Sequence, residues 1–432
     1  MFERINKDVF EQGLIELRRE FHRYPELCWT EFRTTARIIE ELEKLGLTVQ
    51  YGSSIHTKEK MFGLPDSQVL ENCWQQAKAK STRPDLIDAM RGGYTGCLTV
   101  IEGALPGPTI GIRLDIDCNE LQESDDQKHR PVAEGFSSEH STCMHACGHD
   151  AHAAIGVGVA QLLCVYRDRL RGKVILGFQP CEEGLRGAAS FTAAKHFSLC
   201  DYFFSAHVGL KNLRVGTVAA SAHGFLDSTK FDVTFKGVPA HSGISPEEGK
   251  NALATAATAV LNMLAIPRHQ EGATRINIGS LHSGTARNVI PSDATLVVET
   301  RGATTAINEY METSAKRICR AAADMYGCSY TTRFMGAASS IECDPPLIRR
   351  TAEILAQVDG VDEVLFDFNF GACEDVTTIM RDVKDNGGQV TELIIGMPLV
   401  APHHNNYFDI DERVIGIGSR CFAQIALMIG DE

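Results

Sequence analysis

Between residues 228 and 334 the apolar pattern runs strand, helix, strand, strand, helix, strand, and no other stretch of the chain restricts the fold as tightly. Residues 228–235 alternate as a strand, 251–264 have helical spacing, and 275–281 and 294–301 are two further strands. A long helix over 307–326 and a strand over 329–334 complete the set. This is the order of a compact four-stranded antiparallel α+β unit, which two helices can cover on one face only. Outside it the rhythm differs. Helical spacing over 8–24 stops at Pro25, a second helix over 31–45 closes at Gly46, and an apolar strand over 108–117 precedes a small-residue helix at 151–163. Strand–helix alternation up to about residue 218 resumes after Pro345, and predicts a parallel sheet covered on both faces. The expectation is an α/β catalytic domain of residues 1–218 and 337–432, interrupted by a 219–336 domain. The polar stretch 51–93, weakly helical, reads as a further insertion.

The chemistry concentrates at strand ends. Met144-His145-Ala146-Cys147-Gly148-His149-Asp150-Ala151-His152 packs a thiol, three imidazoles and a carboxylate into nine residues. Cys147 and His149 stand two apart, so a turn at Gly148 can aim both at one cation, and thiolate with neutral imidazole suits zinc and its neighbours. Taken alone, the segment also reads as a structural site, a surface coincidence or a buried turn whose cysteine is a small hydrophobe. Three apolar runs add donors. Residues 173–180 lead into Cys181-Glu182-Glu183-Gly184, 202–206 end at His207, and 393–397 are soon followed by His403 and His404. In an open parallel sheet, ligands bind in the crevice beyond the carboxyl ends of the strands. Adjacent Glu182 and Glu183 point apart, so one can hold metal while the other faces a reacting water; a solvated acidic turn is the plainer alternative. Asp115 and Asp117 suit a supporting role, as do the spare His145, His152 and His403. Glu374 and Asp375 are either an exposed acidic turn or part of a pocket wall.

The formal net charge of -14 argues against nucleic acid as a partner, and leaves any anionic ligand dependent on local Arg or Lys. No apolar run approaches the ~20 residues that span a bilayer, and residues 1–6 lack a signal-peptide layout. The 14 cysteines have no framework spacing, so reduced thiols in a cytoplasmic protein are expected.

Met-His-Ala-Cys-Gly-His-Asp at 144–150, Glu-Glu-Gly at 182–184 and Gly-x-x-Ala-His-Ser-Gly at 237–243 together resemble the hippurate hydrolase and indole-acetyl-amino-acid hydrolase group of dinuclear metallo-aminoacylases and carboxypeptidases. The resemblance runs from about Leu17 to the end, apart from the 51–93 insertion. Phe62-Gly63-Leu64-Pro65-Asp66, Arg91-Gly92-Gly93-Tyr94-Thr95-Gly96 and His403-His404-Asn405 before Phe408-Asp409 resemble the A subunits of aminobenzoyl-glutamate hydrolases. Indole-acetyl-aspartate hydrolases look so similar there that these motifs do not separate the two.

The resemblance implies a larger mixed-sheet catalytic domain with an inserted dimerisation or lid domain. It implies two divalent metal ions, zinc or manganese first and nickel or cobalt next, held by Cys147, His149, Glu183, His207 and His404. Glu182 falls at the general base, and His241 at a lid histidine that reaches the site of a partner copy; on residues alone His241 also reads as a lone surface histidine. Asn288 and Arg301, with Arg287 beside them, match positions that hold a substrate carboxylate. The implied activity is hydrolysis of an N-acyl amino acid, with an aromatic acyl group and an acidic amino acid, by a homodimer with or without a second, related chain. Three alternatives stay open: a broad hippurate-type hydrolase, a cysteine hydrolase using Cys147, and a silent binding subunit. Two departures stand out: Cys181 where alanine is usual, and Asn405-Asn406 where many relatives have Ser-Pro.

Overall fold

The computed structural model describes residues 1–430. In chain order its strands are β1 (Val49–Tyr51), β2 (Cys97–Glu102), β3 (Leu105–Asp115), β4 (Arg171–Gln179), β5 (Tyr202–Asn212) and β6 (Thr217–Ala219). They continue with β7 (Asp227–Lys236), β8 (Thr274–Ser283), β9 (Asp293–Gly302), β10 (Ser329–Ala338), β11 (Glu363–Leu365) and β12 (Gln389–Met397). Two sheets result, one of eight strands in the order β1-β2-β4-β3-β5-β12-β6-β11, and one of four in the order β10-β7-β9-β8.

The large sheet is mixed, as the resemblance implies, with the parallel part that strand–helix alternation predicts at its centre. Strands β4, β3, β5 and β12 run parallel at its centre, whereas β1 pairs antiparallel with β2, β2 with β4 and β6 with β12, and β11 lies parallel to β6. The centre is apolar on both faces, as a helix-covered parallel sheet must be. One face packs under the helices Lys7–Arg23, Phe32–Lys44, His149–Val165, Pro345–Leu355 and Arg413–Met428; the other carries Gly187–Ala193 and Val376–Asp385. The helix His149–Val165 is buried almost all round, because it lies between the sheet and Arg413–Met428. That explains its small, apolar composition.

The small sheet is antiparallel throughout, and the helices Ala252–Leu264 and Thr305–Tyr326 close one of its faces. Strand β8 leaves an open edge. The 51–93 stretch holds the helices Ser67–Lys80 and Pro84–Ala89, joined where Trp74 Nε1 donates to the Ile87 carbonyl at 3.0 Å. It also reaches the small sheet, where Phe62 meets Phe334 of β10 edge-on at 4.6 Å. A second link lies beside it: Ala337 N–H of β10 donates to the Leu185 carbonyl at 3.0 Å. Gly336 makes this approach possible, because a Cβ there would lie 2.5 Å from the carbonyl oxygens of both Gly184 and Leu185.

One expectation about cysteine is corrected. Cys28 and Cys181 form a disulfide, 153 residues apart in sequence, while the other cysteines are free thiols. Glu31 draws the two segments together by accepting the Cys181 N–H at 2.8 Å. No helix among the described residues is long and apolar enough to cross a membrane.

Beneath the Cys/His segment lies a buried charge network. Arg18 pairs with Asp150 at 2.7 Å and with Asp409 at 3.0 Å. His22 bridges Asp150 at 2.7 Å and Glu123 at 2.9 Å. The Arg18 and Asp150 side chains are both 0% exposed. Removing one partner of such a pair strands the other charge, which typically costs about 3–5 kcal/mol. Arg18→Met is therefore expected to lower unfolding stability by about that amount, read from the urea midpoint at constant slope; an unchanged midpoint would refute the network's structural role.

Candidate metal centre and active site

Gly148 sits at φ 89°, and a Cβ on it would lie 2.5 Å from Val208 Cγ2, so only glycine lets the backbone turn here. The turn presents Cys147 on one side and His149, the first residue of the central helix, on the other. From β4, two residues beyond its end, come Cys181, Glu182 and Glu183. His207 lies within β5 rather than after it, since that strand runs on to Asn212 and pairs His207 with Ile394. His404 is in the loop after β12, fixed by its N–H on the Ala146 carbonyl at 2.8 Å.

These donors converge. The ligand atoms of Cys147, His149 and His207 all lie within 4.8 Å of one another, and so do those of Cys147, Glu183 and His404, and those of His149, Glu182 and Glu183. Cys147 belongs to two of the three groups. Its Sγ is 3.4 Å from His207 Nε2, and His404 Nε2 is 3.4 Å from Glu183 Oε1. His404 remains 57% exposed, which leaves this end of the cluster open to solvent.

Hydrogen bonds on the far ring nitrogens orient the histidines. His149 Nδ1 donates to the Asp117 carbonyl at 3.0 Å and His207 Nδ1 to the Val208 carbonyl at 2.8 Å, so Nε2 faces the cluster in both. His149 Nε2 is buried with no hydrogen-bond partner. By contrast, both nitrogens of His152 are engaged: Nδ1 donates to Asp115 at 2.5 Å and Nε2 accepts the Val208 N–H at 3.0 Å. His403 Nε2 donates to the Val208 carbonyl. His145 has no partner at either nitrogen, and burial holds its pKa down to about 3.

Asp117 separates the glutamate pair. Its Oδ1 accepts the Glu182 N–H and its Oδ2 the Glu183 N–H, each at 2.9 Å. Burial, then the charges of Asp375 and Glu183, pushes the Glu182 carboxyl well above the usual range. Burial presses hardest on Glu183, and upward, but the His404 hydrogen bond and the charges of His149 and His404 together outweigh it and hold the group at about 2. Cys181, Leu185 and His404 flank the cluster with φ of 59°, 64° and 60°. Left-handed backbone at non-glycine residues costs free energy and gathers at functional sites.

The residues present fit a metal. Burial, followed by the adjacent Glu183 carboxylate, drives the Cys147 thiol well above its normal range, so a thiolate here calls for a compensating cation. Thiolate, imidazole and carboxylate converging around an idle His149 Nε2 are the donor types that bind zinc and similar ions.

Sequence reasoning missed Arg113. It pairs with Asp115 at 2.7 Å, Glu374 at 3.1 Å and Asp375 at 2.7 Å, and donates to Gln179 at 2.9 Å. Glu374 and Asp375 are buried rather than an exposed turn, and their carboxylates lie within 4.8 Å of that of Glu182. The available signal was an arginine inside an apolar strand, which must find anions there. Four expected residues stay apart from the cluster. His241, Arg287 and Asn288 are exposed in paired loops of the small sheet, where Ser242 N–H donates to the Asn288 carbonyl. Arg301 lies on β9 against Glu299 at 3.0 Å. Among the described residues, no hydrogen bond, ion pair or donor group joins these four to the metal-type donors.

The profile of Peptidase family M20/M25/M40 matches residues 111–428. The chain belongs to that family. It is 41% identical to the indole-3-acetyl-aspartic acid hydrolase of Enterobacter agglomerans, over 96% of this chain and 95% of the relative. It is 40% identical to the A subunit of the p-aminobenzoyl-glutamate hydrolase of Escherichia coli K12, over 95% and 94%. The crystal structure of an aminobenzoyl-glutamate utilization protein from Klebsiella pneumoniae superposes with a TM-score of 0.83 at 34% identity, covering 98% of each chain. This M20-family chain is a metallo-amidohydrolase.

The different surroundings of the two glutamates have a testable result. Glu182→Gln is expected to keep metal content near that of the parent while turnover falls roughly 10²–10⁴-fold. Glu183→Gln is expected to lose metal, as measured by elemental analysis of the purified variants. The opposite pattern would show the pair reversed.

Proposed function

We propose that this M20-family enzyme hydrolyses the amide bond between an aromatic acyl group and an acidic amino acid, of the aminobenzoyl-glutamate or indole-acetyl-aspartate kind. One observation carries the reaction class: Glu182 and Glu183 hang from a single aspartate, one held among soft metal donors and the other among buried carboxyls. Cys147, His149, Glu183, His207 and His404 would hold two divalent ions, zinc or manganese. Such ions, when bound, supply the positive charge that acidifies water and polarises an amide carbonyl. Glu182 takes the proton from the attacking water and passes it to the nitrogen of the leaving amine. Its raised pKa suits both halves of that transfer.

His241 donates a hydrogen bond to the oxyanion from the lid of a second copy. Its exposed position, remote from its own chain's cluster, supports that role. Arg301, with Asn288 and Arg287, holds the α-carboxylate of the substrate, for which a guanidinium offers a planar fork. A homodimer joined through residues 219–336 fits the open edge of β8 and the exposed Leu253, Leu261 and Leu264 on the helix next to it. The Escherichia coli relative is one subunit of its hydrolase, which speaks for a further partner here, a second related chain. Free thiols at the remaining cysteines fit a cytoplasmic location.

Two experiments test the reading. Comparing kcat/KM on benzoyl-glutamate, benzoyl-glycine and benzoyl-leucine should favour the acidic substrate by roughly ten- to a hundredfold, the worth of one paired charge. Equal rates on all three would favour a broad hippurate-type hydrolase instead. Mixing His241→Ala chains with Glu182→Gln chains should restore activity absent from either alone, because each mixed dimer then holds one intact site. If the mixture stays inactive while mixed dimers form, His241 does not act across the interface.

A further inference from the structure

Arg186 is a cation beside the metal-donor loop, within the field of Asp117, without an anion of its own. It follows Glu183 by three residues, at the point where the metal-donor loop, the 51–93 insertion and the small sheet meet. Its Nη1 donates only to neutral acceptors, the Gly63 carbonyl at 3.3 Å and Cys28 Sγ at 3.8 Å. Its Nε is buried with no hydrogen-bond partner. Among the described residues, no carboxylate lies within ion-pair distance; the charges acting on it are Asp117, Asp232 and the like-charged Arg333.

The chain makes room for this side chain on two sides. A Cβ on Gly63 would lie 2.7 Å from Arg186 Cδ, and a Cβ on Gly184 would lie 2.6 Å from its Nε. Above it, Gly336 brings β10 onto the Gly184 and Leu185 carbonyls, and Phe62 meets Phe334 across the same gap. An unpaired guanidinium so enclosed is costly unless an anion arrives from outside the chain.

We propose that Arg186 binds the side-chain carboxylate of the acidic amino acid in the substrate, and so sets the preference for acidic over neutral conjugates. The assignment rests on the acidic-substrate reading above. In it Arg301 faces the α-carboxylate from the lid, and Arg186 supplies the second cation from the catalytic domain. A planar fork with idle donors matches a carboxylate in two-point contact.

The test is the ratio of kcat/KM for benzoyl-glutamate to that for benzoyl-glutamine, two substrates of nearly equal shape that differ in one charge. The parent enzyme is expected to favour the glutamate by roughly ten- to a hundredfold, and Arg186→Met to bring the ratio close to one. A purely structural role would lower both rates together and leave the ratio intact. A parent with no preference overturns the acidic-substrate reading and this assignment with it. A parent preference that survives in Arg186→Met overturns the assignment alone. If Arg186→Met does not fold, Arg186→Lys serves: it keeps the charge, loses the fork, and should lower the ratio severalfold; an unchanged ratio overturns the proposal.

Discussion

Asp117 accepts the N–H of Glu182 on one carboxylate oxygen and that of Glu183 on the other, while its own carbonyl takes Nδ1–H of His149. Three groups of the centre are thereby positioned by one buried residue just past the end of β3. Adjacent backbone amides gripped by the two arms of one carboxylate are directed together, which sends the two following side chains apart. The difference in surroundings between Glu182 and Glu183 thus begins in main-chain geometry. Their neighbours then amplify it, with buried carboxyls on one side and imidazoles on the other.

Two arginines carry the electrostatic burden of such an acidic interior. Arg113 gathers Asp115, Glu374 and Asp375 behind Glu182, and Arg18 gathers Asp150 and Asp409 behind the Cys/His turn. Neither touches the metal-type donors. Each lets carboxylates stand close to the centre without driving it apart, since buried like charges left unneutralised would shift their protonation or expel one another.

Much of this was legible in the sequence. Strand-end donors after 173–180 and 393–397 fell where the physics of a parallel sheet puts ligands, and the β-α-β-β-α-β order of the small sheet could be read from periodicity alone. His207 was placed at a strand end, yet β5 runs past it, because an apolar run marks where a strand is buried and not where its ladder stops. Strands β1 and β2 were invisible because a three-residue and a six-residue segment flanking a polar insertion leave too little periodicity. Arg113, Arg186 and the Cys28–Cys181 pair depend on partners 66 to 262 residues away in the chain, as with Arg113 and its bonds to Gln179 and Asp375. Local pattern carries no information about such pairings.

The contact of β10 with the loop after Glu183 has a mechanical consequence. The Ala337 N–H bonded to the Leu185 carbonyl ties the small sheet, main chain to main chain, to the loop that carries Glu182 and Glu183. Any swing of that sheet away from the cluster must first break this bond, two residues from Glu183. Movement of the small sheet and order in the loop of Glu182 and Glu183 are thus coupled through this contact.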